Sequence, residues 1–203
     1  MRKRLKGKPH PDVYALRVEC LQEFENRAQA GAIALYYADE SRVSLTPCVP
    51  YAWQFKDEQV FMPCAKGEGL NCFALLSRNN HCLAQTTRAA ITGAFIAEQL
   101  DRFSLSLTGL TVVVLDNAAV HHGKEVTLRK DVWQERGLFI VYLPTYSPHL
   151  NIVEILWRKL KYEWLRAEDY AEPDTLFYAV WQALRAVGHS LTIRFSPFQN
   201  CIN

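Results

Sequence analysis

Two continuous apolar segments constrain the fold of this chain more than any other feature of its sequence. They are TVVVLD (111–116) and LFIVYLP (138–144), and a helical pattern, GKEVTLRKDVWQERG (123–137), lies between them. Apolar side chains at successive positions indicate strands that are buried on both faces, as in parallel strands covered by helices. The sequence therefore predicts a strand, a helix and a second strand in the parallel part of an α/β sheet.

The segments before this unit predict a helix, three strands and a further helix. A leading helix is predicted from Asp12 to Ala30, where apolar residues recur at near-helical spacing. Strands are predicted at AIALYYADE (32–40), SRVSLTPCVPYAWQF (41–55) and GLNCFALLS (69–77), with turn-forming residues between them. These three strands would form an antiparallel meander. A helix over 92–107 follows, and Thr92 can cap its start.

Helical patterns dominate the end of the chain. After the TYSPHLN loop (145–151), a long helix is predicted from about Ile152 to Trp164, and a last helix over 174–187. Its apolar stripe consists of Leu176, Val180, Leu184 and Val187. Three antiparallel strands followed by alternating helices and strands predict an α/β, ribonuclease-H-like fold, with a mixed five-stranded sheet flanked by helices.

Composition and charge fit one globular domain. The chain has 203 residues, of which 49% are hydrophobic and 22% charged, enough for one sizeable core. Its net charge is only +2, but the first eight residues contain five cations, Arg2, Lys3, Arg4, Lys6 and Lys8. Such a stretch suits nucleic-acid phosphates, although a solvated leader is an equal alternative. We predict a basic leader and linker helix over 1–30 and a catalytic domain over 31–203.

Several classes of protein are disfavoured by the sequence. No apolar run approaches the roughly 20 residues that span a bilayer, and no signal-peptide core follows the basic start, so we expect a cytoplasmic protein without membrane contact. The six cysteines form no Cys-x-x-Cys pair. A structural zinc or a redox motif is therefore not expected.

Three carboxylates stand out by their predicted positions. Asp39 closes the first apolar strand, Asp116 closes the fourth, and Glu154 lies in the first turn of the helix after the TYSPHLN loop. We expect them to converge at one edge of the sheet, where ligands of open α/β sheets bind. Two divalent cations in phosphodiester chemistry need such oxygen ligands. Taken singly, each Asp could instead form a turn or cap, and Glu154 could meet the helix dipole.

Three phrases carry a family resemblance: YYADES (36–41), VVVLDNAAVHH (112–122) and LPTYSPHLNIVEILWRKLK (143–161). Together they resemble the catalytic domain of the DDE transposases, in particular the bacterial insertion-sequence branch related to mariner-like elements. The resemblance runs from about Val18 to the end of the chain. Matched position by position, it implies a metal-binding triad of Asp39, Asp116 and Glu154.

The resemblance also implies an activity. It implies DNA cleavage at the ends of an insertion element, then strand transfer by the freed 3′-hydroxyl, with Mg²⁺ or Mn²⁺ as cofactor, two ions being expected. The implied partners are DNA and, when assembled on DNA, a second copy of the chain. The sequence-based alternatives are a non-cutting remnant that binds DNA or a partner transposase chain, and a nuclease of the same fold without strand transfer.

The chain departs from the family pattern in two places. Ile152 stands where family members commonly have proline, a substitution that a first helical turn should tolerate. Family members also begin with a long helix-turn-helix region, and the residues before Val18 are too few to hold one. We therefore expect a separate or frameshift-encoded helix-turn-helix region to supply recognition of the element ends.

Five further polar residues are candidate supporting groups. Asn117 and His121 could orient a phosphate or a water, or could equally be a helix cap and a surface histidine. Asn151 is positioned to cap the acidic helix. Arg158 and Lys161 follow Glu154 at spacings of four and three and could contact DNA phosphates; the alternative is an ion pair on a solvated face.

Overall fold

The structure, a computed structural model, describes residues 11–48, 56 and 68–198 of the chain. The basic leader and residues 49–55 of the second predicted strand lie outside these residues. Among the helices of the described part, none is long and apolar enough to cross a membrane.

The five strands form one mixed sheet in the order β3-β2-β1-β4-β5. β1 pairs antiparallel with β2 and β2 with β3, whereas β4 lies parallel to β1 and β5 parallel to β4. The predicted fold class and the parallel arrangement of the two apolar segments are confirmed. The strand bounds are β1 Ala34–Ser44, β2 Gly69–Leu76, β3 Cys82–Thr87, β4 Thr111–Leu115 and β5 Leu138–Tyr142.

Helices cover both faces of the sheet. Thr92 caps α2 as predicted, since its Oγ1 accepts a 3.3 Å hydrogen bond from the Phe95 amide. A π-helical stretch, Leu160–Trp164, continues α5 to the predicted end at Trp164. The helix bounds are α1 Pro11–Gln29, α2 Gly93–Leu105, α3 Lys124–Thr127, α4 Lys130–Glu135, α5 Val153–Lys159 and α6 Pro173–Ala186.

Two apolar clusters sandwich the sheet. One joins the α5 and α6 side to the inward positions of β1 and β2, and all four residues of the predicted α6 stripe are buried in it. The other joins α2 and Trp133 of α4 to the opposite sheet face. α1 contributes Val18 and Leu21 to the first cluster, so it packs against the sheet. The boundary at residue 30 stays a prediction.

The strand assignments need two corrections. The segment 41–55 does not begin a new strand, because β1 continues through Asp39 to Ser44 by pairing with β2 from Phe73 back to Gly69. Asp39 therefore does not close its strand. The third antiparallel strand is β3, which the sequence did not mark: it lies at the sheet edge with its side chains half-buried, so its apolar signal is weak.

The single helix predicted over 123–137 is two short helices, α3 and α4. The chain bends between them at Leu128, which is exposed. Beyond the bend Trp133 is fully buried, and its Nε1 donates a 2.7 Å hydrogen bond to Asp101 of α2. The hydrogen bond between Trp133 and Asp101 joins residues distant in the chain, and the local sequence pattern does not report it.

Candidate active site

The parallel pairing of β1 and β4 sets Asp39 beside Asp116. Tyr37 and Val114 are the last residues in register, and each aspartate lies two residues further along its chain. Neighbouring strands are about 4.8 Å apart, so two carboxylates leave the sheet from adjacent positions. Glu154, at the start of α5, lines the same cleft, which has a volume of about 380 Å³. The three predicted triad residues therefore share one cleft.

Asp39 is the most buried of the three, at 9% exposure. Its Oδ2 accepts a 3.1 Å hydrogen bond from the indole Nε1 of Trp157 on α5. Burial, and after it the negative charges of Glu154, Glu40 and Asp116, together raise the pKa of Asp39 to about 7. This carboxylate lies in a concentration of negative charge that an added cation would relieve.

Asp116 occupies a tight turn after β4. Its Oδ1 accepts hydrogen bonds from the Ala118 amide (2.9 Å) and from Nδ1 of His121 (2.6 Å). The bond from His121 is the main cause that lowers the pKa of Asp116, although burial acts against it. Among the described residues, Oδ2 accepts no such bond. Asp116 is thus a turn former that also lines the cleft.

His121 joins two acidic residues behind the cleft. Its side chain is completely buried, so it is not the surface histidine of the alternative interpretation. Nδ1 contacts Asp116, and Nε2 lies 3.0 Å from Oε2 of Glu40 on β1. Burial lowers the pKa of His121, but its hydrogen bonds and charge interactions with Asp116 and Glu40 outweigh that effect and raise it to about 10. A protonated His121 therefore holds both carboxylates in place.

The segment before Glu154 is fixed by Asn151, which is buried. Its Oδ1 accepts a 3.1 Å hydrogen bond from the Val153 amide, and its Nδ2 donates to the carbonyl of Ala38, the residue before Asp39. Asn151 thus caps the start of α5 and also ties it to β1. Glu154 itself is exposed in the first turn of the helix.

The remaining predicted residues take different positions. Asn117 lines the cleft, and both ends of its amide are bonded, to the Leu143 carbonyl and to Nε2 of His122. Arg158 is exposed on α5 but lines a neighbouring groove, and Lys161 lies beyond it in the π-helical stretch. The structure therefore brings Asn117, but neither cation, into the cleft.

A divalent metal is the cofactor that the family resemblance implies. The chemistry of the donors fits it, because the cleft offers carboxylate oxygens and Asp39 is buried among like charges. As the side chains stand, no three acidic, His or Cys groups in the described part of the chain are gathered closely enough to hold an ion. The residues therefore fit a divalent metal ion in their chemistry. In this structure, however, their side chains are not close enough together to bind one ion.

Two contacts of this site were not predicted from the sequence. Glu40 follows Asp39 in the chain, and its bond to His121 crosses from β1 to the turn after β4. Trp157 lies three residues after Glu154, so its position on the acidic helix was visible, but its bond to Asp39 was not. Both contacts join distant segments, which local patterns do not report.

Comparison with known proteins identifies the family of this chain. The family described as DDE superfamily endonuclease matches residues 34–176, more than half of the chain. A curated relative, the uncharacterized 39 kDa protein of insertion element IS630 from Shigella sonnei, is 26% identical over 170 residues. The match covers 81% of this chain and 46% of the relative, so the chain spans about half the length of that protein.

Solved structures show the same fold at low identity. The Mos1 strand transfer complex matches with a TM-score of 0.54 and 14% identity, over all of this chain and 65% of that one. The mariner Mos1 paired end complex with Mg gives 0.55 and 14%, with 66% of that chain covered. The catalytic core domain of BIV integrase gives 0.50 and 15%, covering 82% of this chain and 91% of that one. By its family match, this chain belongs to the DDE superfamily endonucleases.

Proposed function

We propose that this chain is the catalytic part of a transposase, which cleaves DNA at the ends of an insertion element and joins the freed ends to target DNA. The observation that carries the proposal is the shared cleft of Asp39, Asp116 and Glu154, in which a buried aspartate is surrounded by negative charge. A turn former or a helix-dipole partner has no reason to meet two other carboxylates. Carboxylates that bind divalent cations do have such a reason, because several oxygen ligands must surround the ions.

The reaction consists of two phosphoryl transfers. In the first, the oxygen of a water molecule bonds to the scissile phosphorus, the bond from phosphorus to the 3′-oxygen breaks, and that oxygen leaves as a hydroxyl. In the second, this hydroxyl oxygen attacks a phosphorus of target DNA and displaces the 3′-oxygen there. Two Mg²⁺ or Mn²⁺ ions held by the three carboxylates would supply Lewis acidity to both steps.

The residues of the chain prepare this chemistry by fixing the carboxylates. Trp157 holds one oxygen of Asp39, and protonated His121 holds one oxygen of Asp116. Both aspartates line the cleft, where they would bind the ions. Because both anchors come from elements packed in the core, neither carboxylate has to be ordered during the reaction.

The proposed partner is DNA, bound through its phosphates. Arg158 and Lys161 follow Glu154 along the same helical segment, and the basic leader adds five cations. The Mos1 complexes are paired end and strand transfer assemblies. By analogy, we expect two copies of this chain to act on two DNA ends, with a helix-turn-helix region recognising the end sequence.

A non-cutting DNA-binding role is the second candidate. It is the alternative that the sequence leaves open, in which the chain binds DNA or a partner transposase chain. It differs from the first candidate in one measurable way, since such a protein binds DNA but does not nick it in any divalent salt.

A nicking assay on supercoiled plasmid DNA of mixed sequence tests the proposal. The wild-type chain should nick the plasmid in Mg²⁺ or Mn²⁺ and not in EDTA, and Glu154→Gln should abolish nicking. Glu168→Gln is the matched control, because that glutamate is 71% exposed and lies outside the cleft. DNA binding without nicking by the wild type would support the second candidate instead.

A further inference from the structure

A basic groove lies beside the cleft, on the other side of the segment that carries Glu154. Its basic lining residues are Arg78, Arg158, Lys159 and Arg194, with His149 beside them, and its volume is about 410 Å³. The cleft takes Ser147, Pro148, Asn151 and Glu154 from this segment, and the groove takes the residues between and after them. The two sites therefore share one wall.

The charge of the groove is uniformly positive among the described residues, since none of its lining residues is acidic. Arg78 pairs with Glu25, and Lys159 pairs with Glu163. Arg158 and Arg194 are both exposed, and neither forms an ion pair within the part of the chain that the structure describes. Two guanidinium groups thus have charge available for an external anion.

Arg194 is held at this position by its neighbour in the chain. The Ile193 amide donates a 2.6 Å hydrogen bond to Oδ1 of Asn80, and the Asn80 Nδ2 donates one of 3.0 Å to the Ile193 carbonyl. The Ile193 side chain is also buried. The backbone that carries Arg194 is therefore fixed before any ligand binds, which lowers the entropic cost of binding.

The geometry relates the groove to the scissile position. Arg158 lies four residues after Glu154, a rise of about 6 Å along the helix. That length is comparable to the spacing of neighbouring phosphates along one DNA strand. A strand whose phosphate lies at Glu154 can therefore place a neighbouring phosphate at Arg158, and Arg194 lines the same groove.

We propose that the basic groove binds the phosphate backbone of the DNA strand that enters the cleft, through Arg158 and Arg194. Guanidinium groups bind phosphate oxygens in a bidentate fashion, and such contacts fix the register of the strand without reading its sequence. Arg194 is the new element, because it comes from the segment after α6, far from the acidic helix in sequence. This inference rests on the proposed function, since DNA is the ligand.

The test measures DNA affinity against salt, in EDTA so that no cutting occurs. Fluorescence anisotropy with a labelled duplex of mixed sequence gives the slope of log affinity against log KCl concentration. Arg194→Gln and Arg158→Gln should each lower the steepness by about 0.9, the value for one lost phosphate contact, and together by about twice that. Arg27→Gln is the matched control, because Arg27 is exposed, pairs with Glu23 and lies at the far end of α1.

Two results would overturn the inference. One is an unchanged slope for Arg194→Gln. The other is displacement of DNA by inorganic phosphate, but not by chloride at equal ionic strength, with loss of that displacement in Arg194→Gln, which would make the groove a small-anion site. Wild-type nicking in Mg²⁺ is measured separately. Its absence would contradict the proposed function, while the slopes alone decide the groove.

Discussion

The indole nitrogen of Trp157 donates a 3.1 Å hydrogen bond to Oδ2 of Asp39, and both side chains are buried. A bond to a buried carboxylate contributes about 1.5–3 kcal/mol and also fixes its direction. α5 therefore does two things at once: it presents Glu154 to the cleft and anchors the aspartate opposite.

Trp157→Phe should lower the free energy of unfolding by about 2–3 kcal/mol, because Asp39 loses its donor and the core loses volume. Urea denaturation followed by circular dichroism measures this. Trp181→Phe is the control, since Trp181 is 44% exposed and should cost less than about 1 kcal/mol. Equal losses in the two variants would show that the bond to Asp39 does not stabilise the fold.

Asp116→Asn should abolish nicking while the protein stays folded. The amide can still accept from Ala118 and His121 through its oxygen, but the anionic charge that draws a divalent cation is lost. We expect the nicking rate to fall by about 100-fold or more, and DNA affinity to hold or rise slightly. Asp131→Asn, an exposed aspartate on α4, is the control. Normal nicking by Asp116→Asn at an unaltered melting temperature would contradict the metal-ligand assignment.

The stability of the metal-free protein should depend on pH through Asp39. Its pKa is raised from 3.8 to about 7 in the folded chain, so ionisation is penalised in the folded state. The penalty is absent below about pH 4, grows between pH 4 and 7, and is complete above pH 7. At about 1.4 kcal/mol per pH unit, it amounts to a few kcal/mol.

Thermal melts in EDTA from pH 4 to 8 measure this effect. Wild-type stability should fall with rising pH relative to Asp39→Asn, which carries no such charge. Adding Mg²⁺ at pH 8 should raise the melting temperature of the wild type more than that of the variant. Parallel pH profiles for the two proteins would show that ionisation of Asp39 does not destabilise the folded protein.

The cysteines should differ in reactivity. Burial raises the pKa of Cys72 and of Cys82 to about 12, so at pH 8 only about one thiol in 10⁴ is ionised. Cys20 and Cys48 are exposed. Brief treatment with iodoacetamide at pH 8, followed by peptide mass spectrometry, should modify Cys20 and Cys48 and leave Cys72 and Cys82 intact. In denaturant all four cysteines should react. Rapid labelling of Cys82 in the native protein would show that the burial of β3 described here is wrong.

Local patterns in the sequence determined much of this protein. Continuous apolar runs identified β4 and β5, but only β4 is buried at every position as predicted, because β5 lies at the sheet edge and leaves Phe139 exposed. Helical spacing identified α1, α2, α5 and α6. The motif phrases identified Asp39, Asp116 and Glu154 as the candidate triad, although their catalytic role stays a prediction.

Only the tertiary structure decided the rest. β1 continues past Asp39 because β2 supplies backbone partners, and β3 is a strand because β2 pairs with it, despite its weak apolar pattern. The bond from His121 to Glu40 joins residues 81 positions apart, and Arg194 reaches the groove because Asn80 holds Ile193. Each contact depends on a partner distant in the chain, whose position is set by packing of the whole sheet rather than by neighbouring residues.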